Sequence, residues 1–279
     1  MVRIVTDSLS DIPKEMNADG HICVIPLTVT FEDGSYLDGV DFTHEEFFGM
    51  LEQAKSFPKT SHPSADAFLS VFKSAVDAGD SVICICASPQ ISGTIDAART
   101  ARDMLGYGRI DIIDSRSLSM GEGLIVLTAY EMAKNGCTHD EIVERAVLHA
   151  ENGEGLVFLD TVEYLHKGGR LSTSKTLIVE KLRIRPILRI DPKGKLVMAG
   201  RALGVRRAIR WLTEAVGRIR TDFTQTTVAI GYTMKKEIAE EIARRLSALY
   251  KMGNIIFYKA GSAIGAHTGP GAGAVFFEA

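Results

Sequence analysis

Short β-branched runs alternate with longer stretches of helical spacing through the first half of the chain. Ser81-Val-Ile-Cys-Ile-Cys86 is an unbroken apolar run between Asp80 and Ala87-Ser88-Pro89, which predicts a strand buried on both faces of a parallel sheet. Ile95 to Leu105 carries apolar residues at helical spacing and stops at Gly106, so a helix follows. Further strands are predicted at Arg3–Asp7 and Arg109–Asp114. A cap and first helical turn is predicted at Ser10–Pro13, and an extended run over His21–Phe31 is bent at Pro26. Asp33-Gly34 predicts a hairpin turn. Thr43 and Thr138 each open a helix with a glutamate three residues on, and Ser64 caps a helix from Ala65 to Ala78.

The rhythm changes after Asn152-Gly-Glu-Gly155, a plausible domain boundary. Leu156–Leu159 reads as a strand, and Val162–Lys167 as a short helix stopped by Gly168-Gly169. Ile184–Ile190 and Lys195–Met198 form an antiparallel hairpin. Helices from Val205 and Lys235 alternate with strands at Thr227–Tyr232 and Asn254–Tyr258. A glycine-rich loop from Gly265 to Gly273 and a terminal strand, Ala274–Glu278, close the chain. The expected fold class is α/β in two domains: a parallel sheet flanked by helices over 1–152, then a mixed or antiparallel sheet with helices over 153–279.

Composition adds limits. The chain has 279 residues, 46% of them hydrophobic and 24% charged, as in a globular protein. No apolar run approaches the ~18 residues that span a bilayer, and Met1 runs straight into a strand pattern without signal-peptide organisation. The four cysteines include no C-x-x-C pair, and Cys84 and Cys86 share one side of a buried strand as core thiols. A cytoplasmic protein without metal or disulfide is expected. The net charge of −3 hides a basic segment, Lys167–Arg220, with fifteen Lys/Arg against three Asp/Glu. Aromatic and basic residues are not interleaved there, which favours a solvated face or a protein dock over nucleic acid.

The candidate chemistry is modest. Ser92-Gly93-Thr94 joins the carboxyl end of a strand to a helix, where an α/β sheet offers free N–H groups to an anion. Either hydroxyl could equally cap the helix. Thr60 and Ser61 precede Pro63 and are held extended, so their hydroxyls are not used as caps. No G-x-S-x-G elbow, P-loop or H-E-x-x-H occurs, so hydroxyls acting as neutral donors to a carboxylate or phosphate fit better than a hydrolase. His267 suits both a ligand contact and a tight turn. Arg170, after Gly168-Gly169, suits both a surface position and a rigid turn that faces it to an acidic group.

Asp7-Ser8, Thr60-Ser61-x-Pro63-Ser64, Ser92-Gly93-Thr94, Asp114-Ser115 with Ser119-Met-Gly121, Tyr164-Leu-x-Lys167-Gly168-Gly169-Arg170-Leu-Ser172 and His267-Thr268-Gly269-Pro270-Gly271 form an ordered set. With these motifs the chain resembles, end to end, the DegV family of bacterial fatty-acid-binding proteins. It departs at Pro89-Gln-Ile before Ser92 and at Ala202-Leu203. The resemblance implies a long-chain fatty acid such as palmitate between the two domains, its carboxylate held by Thr60, Ser92 and His267. Ser61, Gly93, Thr94 and Arg170 are additional candidates. It further implies a non-catalytic binding protein without a cofactor, serving lipid metabolism or transport and presenting its lipid to an ATP-dependent fatty-acid kinase. Arg201, Arg206 and Arg207 are candidates for that dock. Transient membrane contact is compatible with this role. The alternatives are a small-molecule phosphotransferase or hydrolase using Ser92 and His267, and a nucleic-acid regulator using Lys167–Arg220.

Overall fold

β1 (Val2–Asp7) runs into a 3-10 turn at Ser8–Ser10, and a second such turn, Lys14–Asn17, precedes β2 (Ile22–Ile25). The computed structural model describes residues 1–106, 108–171 and 184–279. The helical turn expected at Ser10–Pro13 does not form. Asp11 takes left-handed backbone with φ 52°, and Pro13 stands ahead of the second turn rather than inside it.

Pro26 separates β2 from β3 (Thr28–Thr30), which belongs to a different sheet. β4 (Ser35–Leu37), α1 (His44–Gln53) and β5 (Lys59–Ser61) follow, and β3 pairs antiparallel with both β4 and β5. Next come α2 (Ala65–Asp77), β6 (Ser81–Cys86), α3 (Thr94–Leu105), β7 (Ile110–Asp114), α4 (Met120–Lys134) and α5 (His139–Asn152). Both predicted capping boxes form, and Ser64 caps α2.

A four-stranded parallel sheet has the order β2-β1-β6-β7. Along β6 the side chains divide by parity. Val82, Cys84 and Cys86 share a core with Phe68 and Phe72 of α2 and Ile95 of α3, whereas Ile83 and Ile85 pack with Ile125 of α4 and Ile142 of α5. Burial on both faces is why the run has no polar alternation. The sulfurs of Cys84 and Cys86 lie 3.6 Å apart, and all four cysteines are free.

α5 passes directly into β8 (Gly153–Phe158). Then follow α6 (Glu163–Lys167), β9 (Ile184–Ile190), β10 (Leu196–Leu203), α7 (Val205–Ile219), the short β11 (Asp222–Phe223), β12 (Val228–Tyr232), α8 (Lys236–Leu249), the short β13 (Lys251–Met252), β14 (Ile255–Lys259), α9 (Ser262–Thr268) and β15 (Gly273–Glu278). A six-stranded mixed sheet has the order β10-β9-β8-β15-β12-β14, parallel only between β12 and β14. Its two faces have different fates. Leu156, Phe158, Ile187, Ile230 and Val275 pack under α7 and α8. Val157, Leu188, Ile190, Ala274 and Phe276 share the other core, with Leu27, Phe47 and Phe48 from the first half. This second face walls the cavity described below.

The glycine-rich loop expected from Gly265 is a helix as far as Thr268. A Cβ on Gly265 would lie 2.7 Å from the Phe47 ring and 2.9 Å from that of Phe48. The missing side chain lets α9 pack closely on α1 rather than make a turn. Among the described residues no helix is long and apolar enough to cross a membrane.

Candidate functional site

A cavity lies on the second face of the six-stranded sheet, bounded from the first half by β5 and by the segments that follow β1, β6 and β7, an open space of about 920 Å³ with the solvent at its mouth included. Leu9, Leu27, Ile91 and Leu118 line it from the first half, and Val157, Leu188, Ile190, Leu196 and Phe276 from the second. Small residues shape these walls. A Cβ on Gly155 would meet the Phe276 ring at 2.6 Å, and one on Gly231 would meet the Tyr258 ring at 2.3 Å. Both aromatic rings lie flat against the sheet because those positions are glycine.

Polar groups on this lining are few. Thr60, Ser92, Arg170 and His267 all reach it, carried by β5, the β6–α3 loop, the turn after α6 and the last turn of α9. Thr60 is placed by its pairing with Val29 of β3. Its Oγ1 lies 2.8 Å from Nε2 of His267, across 207 residues of sequence. Burial, assisted by the charge of Arg170, lowers the His267 pKa to about 4, so the ring is neutral at ordinary pH. Nδ1 is buried without a hydrogen-bond partner among the described residues and faces Gly168, where a Cβ would lie 2.1 Å away. A buried N–H without an acceptor costs more than a buried lone pair without a donor. The proton is therefore assigned to Nε2, which donates to Thr60 Oγ1 and leaves the Thr60 hydroxyl hydrogen free for the cavity.

Ser92 Oγ is 2.8 Å from the hydroxyl of Thr94 and 3.4 Å from its amide. Thr94 is fully buried and does not line the cavity; either hydroxyl can donate in this pair, and the Ser92 hydrogen is free for the cavity when Thr94 is the donor. Gly93 holds the cap position of α3 without a side-chain bond, and Ser92, one residue earlier, accepts the first helical N–H, that of Thr94. A Cβ on Gly93 would press on the His62 ring at 2.9 Å. His62 lines the cavity and was not marked by any sequence signal. Arg170 donates through Nε to the Ile91 carbonyl (3.2 Å) and through Nη1 to the Gly168 carbonyl (2.6 Å), tying the turn after α6 to the loop of Ser92. Ser61 is exposed and is not among the lining residues. Ser172, in the same motif as Arg170, lies outside the described residues.

Ser119, Tyr232, Thr233 and Tyr258 also border the cavity. The Ser119 hydroxyl bonds to Asp11 and lies 2.9 Å from that of Tyr258, so both hydroxyls are satisfied within the wall. Tyr258 carried no motif, since an aromatic at a strand end reads as ordinary core. His267 is hydrogen-bonded to Thr60 and Ser92 to Thr94, and among the described residues no hydrogen bond joins Ser92 to His267. A hydrolase or phosphotransferase would need that missing contact. No group of three or more His, Cys, Asp or Glu able to hold a metal occurs among the described residues. Arg201 on β10 and Arg206 and Arg207 in the first turn of α7 are all exposed.

The chain is similar to known proteins along its whole length. The family model described as "Uncharacterised protein, DegV family" matches residues 1–279. A DegV domain-containing protein of Caldanaerobacter subterraneus subsp. tengcongensis is 38% identical over 277 residues, covering 99% of this chain and 98% of the relative. A solved DegV family protein from Thermus thermophilus, described for its fatty acid binding, has a TM-score of 0.91 at 25% identity, covering 100% of this chain and 99% of that one. One from Thermotoga maritima, described as revealing a fatty acid binding function, has a TM-score of 0.87 at 27% identity, over 99% of this chain and 98% of that one. In sequence and in fold, this chain belongs to the DegV family.

Proposed function

We propose that this protein binds a long-chain fatty acid, its acyl chain in the cavity and its carboxylate on the hydroxyls of Thr60 and Ser92, with His267 orienting that of Thr60. The observation that carries this reading is the Thr60–His267 pair, 2.8 Å apart, beside Ser92 on an otherwise mostly apolar lining. Burying a sixteen-carbon tail such as that of palmitate contributes on the order of 10 kcal/mol, at ~0.8 kcal/mol per methylene before association costs. A carboxylate entering with the tail must be hydrogen-bonded or take up a proton. The hydroxyls of Thr60 and Ser92 donate to an ionised head group and accept from a neutral one. The nearby positive charge of Arg170 favours the ionised form.

We further propose that the protein is a non-catalytic carrier that hands its lipid to an ATP-dependent kinase. Arg206 and Arg207 occupy the first turn of α7, which has no acidic residue, at the helix end whose dipole repels cations. A plain solvated face gains nothing from that placement, whereas an acidic or phosphate-bearing partner would. Organic extraction of the purified protein followed by mass spectrometry tests the lipid reading. A fatty acid in near-stoichiometric amount is expected, and its loss when Thr60 and Ser92 are both replaced by Ala would tie it to this site. Retention unchanged in that double variant would refute the carboxylate assignment.

A further inference from the structure

The Asp7-Ser8 motif and its neighbours are not part of the cavity's polar set, yet they reach the segment before β3, the loop that leads to Ser92 and the start of α9. Asp7 is buried, with one oxygen accepting from the Leu9 amide (2.8 Å) and the other from the Ala87 amide (3.2 Å), at the start of the loop that leads to Ser92. The Ser8 hydroxyl accepts from the Leu27 amide (3.0 Å), just before β3, the strand that pairs with Thr60. The same hydroxyl donates to Asp38 Oδ2 (2.8 Å), and Asp38 Oδ1 accepts from the Ser262 amide (2.9 Å). Asp11 Oδ1 accepts from the Gly261 amide (2.8 Å), and its other oxygen takes the Ser119 hydroxyl.

α9 has no capping side chain of its own. Its first turn is capped by Asp11 and Asp38, some 250 and 224 residues away in sequence. A Cβ on Gly261 would lie 2.9 Å from Asp11 Oδ1, so glycine there permits the approach. α9 is only seven residues long, and His267 sits in its last turn. Fixing the start of so short and rigid an element fixes the ring at its end. Three carboxyls buried together are a costly means of stabilisation. Serine would cap a helix as well. A carboxyl has two oxygens, and each of these three uses them to join two different segments.

We propose that Asp11 and Asp38 are positioning residues for the head-group site, setting His267 against Thr60 by docking the start of α9. This inference rests on the reading of Thr60, Ser92 and His267 as the carboxylate site, and its test is separable from that reading. The test uses the full chain freed of lipid, with ¹⁵N NMR of the His267 ring. Wild type is expected to show a protected Nε2–H signal bonded to Thr60. Asp38→Ala is expected to lose that protection, and Asp38→Asn, whose amide oxygen still accepts from Ser262, to keep it. An unchanged ring signal in Asp38→Ala would overturn the proposal whatever the lipid does.

Ser8→Ala breaks the link from Asp38 to β3 while leaving every carboxyl in place. It serves as the variant should Asp38→Ala not fold, with loss of protection supporting the proposal and full protection overturning it. Palmitate binding supplies the second arm. Asp38→Ala should weaken binding about ten-fold alone and less than about two-fold in a His267→Ala background, as expected for residues acting as one unit. Equal losses in both backgrounds would assign Asp38 a general structural role and overturn the proposal. If His267→Ala binds palmitate like wild type, the carboxylate reading fails, and the ring signal alone then decides the positioning.

Discussion

Gly168 and His267 touch through an atom that glycine lacks: a Cβ at 168 would lie 2.1 Å from Nδ1 of the ring. The backbone at Gly168, with φ −74°, would accept any residue, so the main restriction is the histidine ring, with the Tyr164 carbonyl at 3.1 Å a lesser one. Gly168→Ala is therefore expected to push the imidazole away from Thr60 and to weaken fatty-acid binding about ten-fold, while overpacking costs about 1–3 kcal/mol of stability. Calorimetric titration with palmitate beside a thermal melt checks this. Wild-type affinity in Gly168→Ala would mean that the ring can move without consequence.

Thr60→Val keeps the shape of the side chain and removes its hydroxyl. A hydrogen bond to a charged group contributes about 1.5–3 kcal/mol, so the dissociation constant should rise roughly ten- to a hundred-fold. Ser92→Ala should act in the same direction, losing besides only the long 3.4 Å bond from the Thr94 amide, because the N-cap residue of α3 is Gly93. Titration of the delipidated variants measures both.

Stability should depend on pH in two opposed ways. The His267 pKa is held near about 4 by burial and by Arg170, so the stability tied to its neutral ring is present above its ordinary value and lost as pH falls through about 4. Burial raises Asp7 to about 7 and Asp11 to about 8, and there the sign reverses. Their contribution is full below the ordinary carboxylate value and is lost as pH rises through about 7 and 8. Urea unfolding across this range should show the stability difference moving in favour of Asp11→Asn as pH rises from about 4 to about 8. A difference independent of pH would show that Asp11 ionises normally in the folded protein.

Reversing Arg206 and Arg207 to glutamate should leave the lipid content of the purified protein unchanged, since both side chains are exposed and neither lines the cavity. The same variant should slow acyl-phosphate formation by a kinase partner, and the wild-type rate should itself fall with added salt. Equal rates for the two proteins would remove these arginines from the dock.

Much of the fold was legible because the pattern of β6 admits few readings: an unbroken apolar run flanked by helices must be buried on both faces. Capping boxes at Thr43 and Thr138 and the bend at Pro26 were equally direct. The segment around Gly265 misled, because a glycine that admits Phe47 and Phe48 looks in sequence like a glycine that makes a turn. Thr60 and His267 could be joined only through the family resemblance, since no local spacing links residues that far apart. The burial of Asp7, Asp11 and Asp38 left no signature at all, because carboxylates ordinarily read as surface.

β15 follows every other strand of its sheet in sequence and lies between β8 and β12, two neighbours from opposite ends of that half of the chain. During synthesis the sheet must therefore wait as two unjoined pieces until residues 273–278 leave the ribosome, with the greasy side of each uncovered. Ala274 and Phe276, which complete the cavity wall, arrive in that same step. Until those residues join the two pieces, the wall of the cavity is incomplete.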